Sequence, residues 1–350
     1  MSSARCALLA AVVLAGCNPA PPLEPIPDGS IAFVDAGFAD AGVDAGTPVP
    51  DAGPPLGPPY PILLLHGMAG FDQLHNLPLD ISYFAGVIAD LGQHGEPGVV
   101  ATLAPPYDSS QVRAAIIAKQ IDAVLAKTHR AKVNLIGHSQ GGLDARILAS
   151  PNGLGYGDRI ASVTTISTPH RGTRLTDAAL GLLEGLPKDE VDALTDALLE
   201  LLQRGIYEVQ TDPNLRAQLI GLSEKHMKTQ FNPTYLDDPR VKYSSYAGRT
   251  NLQTGLFDCD AKFPNDPTHV DIANPLFLPM ANLLAGPLNH SNDGLVTVES
   301  AKWGTFLQCV PADHLKEVGV LSASQKQLLS KFDHLEFFRT VVGRIRDSGF

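Results

Sequence analysis

The sequence of 350 residues is poor in cysteine and has no excess of basic residues. Its four cysteines are Cys6, Cys17, Cys259 and Cys309, with no C-x-x-C pair, and no H-E-x-x-H motif occurs. Neither of these zinc-site spacings is present, which argues against metal-centred hydrolysis. Lys and Arg number 26 against 37 Asp and Glu, for a formal net charge of -11. Without a basic surface to displace counterions, nucleic acid is not an expected partner.

The amino-terminal apolar run is shorter than the roughly 20 residues that a transmembrane helix needs. It follows Arg5, extends to Leu14 and ends in small residues before Cys17, which is typical of an export leader. Leu14-Ala15-Gly16-Cys17 resembles the lipobox of bacterial lipoproteins. That resemblance implies removal of residues 1–16, acylation of Cys17 and anchoring in the cell envelope. Ordinary cleavage with free secretion is the alternative, and both predict export from the bacterial cytoplasm.

Residues 17–59 lack the apolar patterning of a folded domain. They are rich in Pro, Ala, Gly and Asp, and their acidic residues have no Lys or Arg among them. Such a composition cannot bury enough surface to fold, and its charge and proline content favour an extended chain. We therefore predict a disordered tether that leads into a folded domain at residues 60–350.

From residue 60 onward, apolar runs alternate with amphipathic segments. The runs that read as buried strands cover residues 61–65, 99–103, 133–136 and 161–166. Between the second and third runs, residues 111–127 carry apolar side chains at helical spacing. Strands that alternate with helices predict an α/β fold, with a mostly parallel central sheet and helices on both of its faces.

A Leu-rich insertion at residues 175–207 interrupts this alternation. It places several apolar residues on one helical face, namely Val191, Leu194, Leu198 and Leu202. We expect a helical cap over about residues 174–237. Its apolar face either belongs to the core or forms a mobile lid that contacts an apolar substrate.

The pentapeptide Gly137-His138-Ser139-Gln140-Gly141 lies between a predicted strand and a predicted helix. A serine on such a sharp turn presents its hydroxyl above the sheet, and glycines are needed because a Cβ would clash with the backbone. The turn also places the Gln140 N–H at a helix N-terminus, where negative charge is favoured. We predict that Ser139 is a nucleophile and that Gln140 supplies one donor of an oxyanion hole.

A serine nucleophile needs a base, and the base needs an acid that fixes its tautomer. In α/β-hydrolases the acid and then the histidine follow the serine in the chain. Asp293 lies in a turn directly before Leu295, and we expect it to be the acid. Beyond it, His314 lies in a loop and His334 in a segment that reads as a helix. We expect His314 to be the base, with His334 as the alternative.

The second oxyanion donor should come from the loop after an early strand. His66-Gly67-Met68-Ala69-Gly70 follows the first predicted strand, and its glycines let the backbone approach a substrate. We therefore expect the Met68 N–H to be the donor and His66 to be a structural member of the loop.

These motifs together resemble the bacterial true lipases, which are triacylglycerol lipases of the α/β-hydrolase superfamily. The resemblance rests on residues 60–72, 132–143, 168–173 and 292–296 and on His314-Leu315. It implies an α/β-hydrolase fold and the same triad and oxyanion donors. It also implies that the Leu-rich insertion is the lid. A dedicated folding chaperone, which some of these lipases need, is a further partner to test.

Two positions depart from the pattern of that family. An Asp that binds a structural calcium ion commonly stands two residues after the catalytic histidine, and here Lys316 takes its place. Since an ammonium group cannot ligate a cation, we expect no calcium there. The family cysteine after the N-D-G motif is also missing, which leaves Cys259 and Cys309 to form a disulfide bond, as an exported protein allows.

The favoured function is that of a serine carboxylic ester hydrolase without a cofactor, acting as a lipase on acylglycerols. A short-chain esterase, a phospholipase and an acyltransferase would use the same triad, because the triad determines the reaction class and the pockets determine the substrate. A non-catalytic lipid-anchored surface protein is a remote alternative that would be expected to lack a triad member.

Overall fold

A parallel β-sheet of six strands forms the centre of the described part of the chain. The structure is a computed structural model that describes residues 54–70, 73–74, 81–182, 192, 196, 212–250, 277–286, 290–319 and 332–350. The predicted leader, Cys17 and most of the predicted tether lie outside the described residues. So does the predicted helical face at Val191, Leu194, Leu198 and Leu202.

The strands are β1 Ile62–Leu65, β2 Gln73–Leu74, β3 Ile81–Ser82, β4 Val99–Ala101, β5 Val133–His138, β6 Ile160–Ile166, β7 Lys242–Gly248 and β8 Thr305–Val310. The central sheet has the order β4-β1-β5-β6-β7-β8, and each neighbouring pair is parallel. Strands β2 and β3 form a separate antiparallel pair. The predicted α/β-hydrolase sheet is therefore confirmed.

The helices are α1 Val87–Gln93, α2 Ser110–Thr128, α3 Gln140–Ala149, α4 Arg174–Ala179, α5 Pro213–Gly221, α6 Glu224–His226, α7 Asn232–Thr234, α8 Leu278–Ala285, α9 Val298–Ala301 and α10 His334–Asp347. A π-helical turn, Met227–Phe231, joins α6 to α7. No helix among the described residues is long and apolar enough to cross a membrane.

Alternate side chains of the buried strands supply two apolar cores, one on each face of the sheet. Leu63 and Leu65 of β1 pack with Ile117 and Ile121 of α2 in the first core. The second core joins Ile62 and Leu64 to apolar residues of α1 and α10, namely Val87, Leu91, Phe337, Phe338 and Val341. A sheet covered on both faces needs strands that are apolar throughout, which is why β1 reads as a continuous apolar run.

The sheet also extends beyond the predicted strands. Leu56, within the predicted tether, forms a parallel bridge with Arg130, and the Leu56 N–H donates to the His129 carbonyl at 2.7 Å. Strands β7 and β8 were not predicted from the apolar pattern. In the predicted cap, helices α4, α5, α6 and α7 are described, whereas residues 183–191, 193–195 and 197–211 lie outside the described residues.

Candidate active site

Ser139 occupies a strained turn between β5 and α3. Its φ of 56° and ψ of −130° lie outside the regions that L-residues favour. A Cβ on Gly137 would lie 2.5 Å from the Gly142 nitrogen, and one on Gly141 would lie 2.2 Å from the Leu65 oxygen. Glycine is therefore required at both flanking positions, as the pentapeptide predicts. The side chain of Ser139 is partly exposed, which a nucleophile needs.

The loop after β1 approaches Ser139 closely. A Cβ on Gly67 would lie 2.6 Å from the Ser139 Cβ and 3.0 Å from its Oγ. Met68 is the next residue, and Gln140 follows Ser139 at the first turn of α3. The backbone N–H groups of Met68 and Gln140 have no acceptor among the described residues. Both predicted oxyanion donors therefore belong to segments that meet at Ser139.

Buried charges anchor that loop. Arg113 of α2 donates from Nη2 to the His66 carbonyl, and its Nε lies 2.8 Å from Asp144 Oδ2. The His66 ring bridges its own loop, with Nδ1 2.9 Å from the Gly67 oxygen and Nε2 accepting from the Ala104 N–H at 3.2 Å. Burial, and then the charge of Arg113, lowers the pKa of His66 to about 3. His66 is thus a neutral member of the loop.

The predicted acid and base lie together. His314 Nδ1 is 2.7 Å from Asp293 Oδ2, and both side chains are buried. The other carboxylate oxygen of Asp293 accepts from the N–H groups of Leu295 and Val296 at 2.8 and 2.7 Å. These three bonds fix the position of the carboxylate. They leave His314 Nε2 as the nitrogen that can accept a proton.

Ser139, Met68 and His314 come from segments that follow parallel strands, β5, β1 and β8 respectively. Parallel strands gather the residues that follow them at one edge of the sheet, where open α/β folds bind ligands. No hydrogen bond joins Ser139 Oγ to His314 in the described structure. Catalytic hydrogen bonds are often long before substrate binds. His314 nevertheless lies close to the turn that carries Ser139, since its ring centroid is 4.5 Å from that of His138, the residue before Ser139.

The alternative base is placed elsewhere. His334 begins α10, and its Nε2 lies 2.7 Å from the Ala85 oxygen. A Cβ on Gly319 would lie 2.3 Å from that same nitrogen. His334 therefore packs between the start of α10 and two loops, and no described contact joins it to Asp293 or Ser139.

The position that resembles a calcium ligand carries a buried ion pair. Lys316 Nζ lies 3.2 Å from Asp313 Oδ2, with the lysine side chain 9% exposed and the aspartate fully buried. An ammonium group excludes a cation from this position. Residue 316 therefore does not fit a calcium site.

Cys309, in β8, is disulfide-bonded. Its expected partner, Cys259, lies outside the described residues. The bond ties the strand that leads to His314 to another part of the chain.

Two buried residues beside the triad were not among the predicted site residues. Glu317 follows Lys316 and is fully buried, and Tyr83 is 5% exposed. His138, which the pentapeptide placed beside Ser139, is also fully buried and contacts both of them. In the sequence, Glu317 is one member of a Lys-Glu pair that reads as solvent-exposed, so no local signal marked it.

Part of the predicted cap covers the oxyanion loop. Leu215 and Leu219 of α5 are fully buried and pack against Met68 and Ala69. Gln218, on the same helix, donates from Nε2 to Gln140 Oε1 at 2.6 Å. Helix α5 thus lies directly over the residues that are expected to bind an oxyanion.

The chain is similar to known α/β-hydrolases. Residues 60–197 match the family described as alpha/beta hydrolase fold. A triacylglycerol lipase of Vibrio cholerae serotype O1 is 31% identical over 296 residues, which cover 83% of this chain and 88% of that protein. A triacylglycerol lipase of Pseudarthrobacter phenanthrenivorans is 40% identical over 130 residues, and this match spans only 37% of this chain and 39% of that relative.

A solved structure shows the same fold. The mature lipase BlEst2 of Bacillus licheniformis aligns with a TM-score of 0.52 at 21% identity, over 79% of this chain and 93% of that one. Because the Vibrio cholerae relative is matched over most of both chains, this chain belongs to the lipase family of the α/β-hydrolases.

Proposed function

We propose that this protein hydrolyses carboxylic esters through an acyl-enzyme on Ser139 and that it acts as a lipase. His314 is the general base, and Asp293 is the acid that orients it. The observation that carries this proposal is the buried 2.7 Å hydrogen bond between His314 and Asp293 at the same sheet edge as the strained Ser139 turn. With Asp293 on Nδ1, the unprotonated Nε2 is the nitrogen that takes the serine proton.

In the acylation step, Ser139 Oγ bonds to the carbonyl carbon of the ester while its proton passes to His314 Nε2. The carbonyl electron pair moves to oxygen, and the N–H groups of Met68 and Gln140 donate hydrogen bonds to that oxyanion. The dipole of α3 adds a favourable potential at the Gln140 N–H. When the tetrahedral intermediate collapses, the alcohol leaves with the proton from His314.

In the deacylation step, His314 takes a proton from water as the water oxygen bonds to the acyl carbon. Collapse of this second intermediate breaks the bond to Ser139 Oγ, which regains the proton from His314. The carboxylic acid is released. Both steps use only side chains and backbone groups of this chain and one water molecule.

Helix α5 supports a lipid substrate for this reaction. Leu215 and Leu219 pack on Met68 in the described structure, and we infer that an acyl chain that enters beside Met68 displaces them. Displacement would expose two leucines, at a cost of about 1.5 to 3 kcal/mol each in water. A lipid surface would remove most of that cost, whereas a dissolved ester would not.

Two substrates test the proposal on the full chain: an emulsified long-chain triglyceride and a dissolved short-chain ester, with Ser139→Ala as the blank. We expect faster Ser139-dependent turnover at the emulsion. Activity confined to the dissolved ester would identify an esterase with a structural cap. Hydrolysis that survives in Ser139→Ala would contradict the proposed mechanism.

We also propose that the protein is exported and lipid-anchored through Cys17. The lipobox-like residues 14–17 support this proposal. Radiolabelled palmitate should enter the wild-type membrane fraction and not that of Cys17→Ser; equal labelling of both would refute the anchor.

A further inference from the structure

Behind the proposed triad lies a cluster of buried polar side chains that the reaction steps above do not use. Its members are Tyr83, His138, Ser167 and Glu317, each at most 5% exposed. Metal-ligand-type atoms of His138, His314 and Glu317 lie within 4.8 Å of one another. Polar groups buried this deeply cost stability unless they are hydrogen-bonded. The directions of their hydrogen bonds therefore indicate what the cluster does.

Tyr83 joins the cluster to the oxyanion loop. Its hydroxyl oxygen accepts a hydrogen bond from the Gly67 backbone N–H and lies 2.7 Å from His138 Nδ1. We assign the Tyr83 hydrogen to His138 Nδ1, which places the His138 hydrogen on Nε2. That hydrogen faces Glu317 Oε2 at 3.2 Å.

Glu317 lies at the centre of the cluster. Ser167 Oγ donates to Glu317 Oε1 at 2.7 Å and accepts from the Gly248 N–H at 2.9 Å. Asp293 is a further neighbour, and its negative charge acts on the Glu317 carboxyl group. Ser167 has a φ of 46°, a conformation that costs free energy for any residue except glycine and persists only where its surroundings demand it.

Glu317 and Asp293 are two fully buried carboxyl-bearing side chains that lie close together. A Cβ on Gly248 would lie 1.8 Å from Glu317 Oε1 and 2.8 Å from the Asp293 Cβ, so both side chains lie against the same backbone position. Two ionised carboxylates at such a distance repel each other strongly in a medium of low dielectric constant. Burial, and then the charge of Asp293, raises the pKa of Glu317 well above its ordinary value of 4.5. Asp293 already accepts hydrogen bonds from two backbone N–H groups and faces His314 Nδ1.

We propose that Glu317 is a positioning residue that keeps its proton and donates it in a hydrogen bond to Asp293. Through His138 and Tyr83, the same side chain is tied to the Gly67 N–H of the oxyanion loop. One continuous hydrogen-bonded chain then sets the distance between the triad acid and the oxyanion hole. This inference rests on the proposed function, in which Asp293 and that loop act in one reaction.

A neutral Glu317 has a consequence that an ionised one does not. The titratable groups that face it are Asp293, Asp313, His138 and His314, and the charge of Asp313 is paired with Lys316. Removing an ionised Glu317 would take a negative charge from beside the Asp293–His314 pair and lower the pKa of the base. Replacing a neutral Glu317 by glutamine keeps a donor and leaves that charge unchanged.

The first test compares Glu317→Gln with Glu317→Met in the full chain, using kcat, KM and the pH profile of kcat/KM. We expect Glu317→Gln to retain kcat within about threefold, with the acidic limb of its profile at the wild-type position. Glu317→Met should lose about 10- to 100-fold in kcat with little change in KM, because it leaves His138 and Ser167 unpaired. Equal losses in both variants, or a lower acidic limb in Glu317→Gln, would overturn the proposal.

The second test needs no activity. A group whose pKa is raised on folding stabilises the protein fully below its unfolded value, and this contribution is lost as the pH rises. The melting temperature of Glu317→Gln relative to wild type should therefore rise between pH 5 and pH 8. A control at the exposed Glu299, Glu299→Gln, should show no such trend, and a flat difference for Glu317→Gln would overturn the proposal. If the wild type showed no Ser139-dependent hydrolysis, the proposed function would be refuted. The melting temperatures would still show whether Glu317 keeps its proton, because they do not depend on activity.

Discussion

The two halves of the active site are built by different physical means. The half that carries Ser139 depends on backbone shape, because Ser139 holds a φ of 56° and neither Gly67 nor Gly137 has room for a Cβ. The half that carries His314, the charged half, depends on buried titratable side chains, of which Asp313 and Lys316 form an ion pair. Asp293, Asp313 and Glu317 are fully buried within 25 residues of one another, and Lys316 is nearly so.

The two halves should therefore tolerate different kinds of amino-acid substitution. In the first half, one methyl group added at Gly67 meets the Ser139 and Tyr83 side chains, and one added at Gly137 meets the backbone of α3. In the second half, side chains of similar shape fit, but a change in charge leaves a buried partner uncompensated. Substitutions in the first half should therefore affect activity more than stability, and charge changes outside the triad in the second half should affect stability first.

The largest effect is expected at the base. His314→Ala should lower kcat/KM by about 10⁴-fold or more, because the serine then lacks a proton acceptor. His334→Ala serves as the control, since His334 contacts Ala85 rather than the triad, and it should stay within about threefold of wild type. Steady-state kinetics on a dissolved ester measure both. A reversal of the two results would assign the base to His334.

The next effect tests the backbone half. Gly67→Ala places a Cβ 2.6 Å from that of Ser139 and 2.8 Å from the Tyr83 hydroxyl, so the loop must move. We expect kcat to fall about 10²- to 10³-fold, as for the loss of an oxyanion donor. Gly57→Ala is the matched control, because its Cβ meets no atom within 4 Å. Comparable activity in the two variants would show that the loop is not held against Ser139.

A stability effect is expected in the charged half. Lys316→Met keeps an apolar side chain of similar length but removes the cation 3.2 Å from the buried Asp313. We expect the free energy of unfolding to fall by about 3 kcal/mol. Lys302→Met removes one member of an exposed pair with Glu299 and should cost less than about 1 kcal/mol. Urea unfolding curves measure both, and equal losses would contradict a special role for the buried pair.

The smallest effect concerns acid stability. Folding lowers the pKa of His66 from 6.5 to about 3, so its contribution to stability is present above pH 6.5 and is lost as the pH falls towards 3. At pH 5 this amounts to about 2 kcal/mol. His66→Gln should lose correspondingly less stability than wild type between pH 7 and pH 5. His94→Gln, at an exposed histidine, should follow wild type, and parallel curves for all three proteins would refute the assignment.

The backbone half could be predicted from the sequence because its signals are local. Ser139 and Gly67 each follow a continuous apolar strand, and the glycines beside them mark turns that only glycine can form. The predicted strand at 99–103 ends earlier, at Ala101, where the Leu103 N–H donates to the side chain of Gln120 instead of continuing the sheet.

The charged half was predicted only for its two main residues. Strand β7 contains Ser244 and Ser245 in a polar run, and these serines are accommodated by hydrogen bonds to Thr164 and Trp303 rather than by apolar contacts. The sequence pattern of β7 alone does not indicate that Thr164 and Trp303 are hydrogen-bond partners of these serines. Glu317 was missed for the same reason, since its burial is produced by segments far away in the chain.

Covalent labelling of the full chain with an alkyl fluorophosphonate, followed by peptide mass spectrometry, tests most directly whether His314 activates Ser139 as a nucleophile. Such a reagent bonds to a serine that has an activating base, so it reports the Ser139–His314 pair independently of any substrate. We expect one label per chain, located on Ser139 and absent in Ser139→Ala. The labelling rate should fall at least about 10³-fold in His314→Ala. Labelling at another residue, or an unchanged rate in His314→Ala, would contradict this expectation.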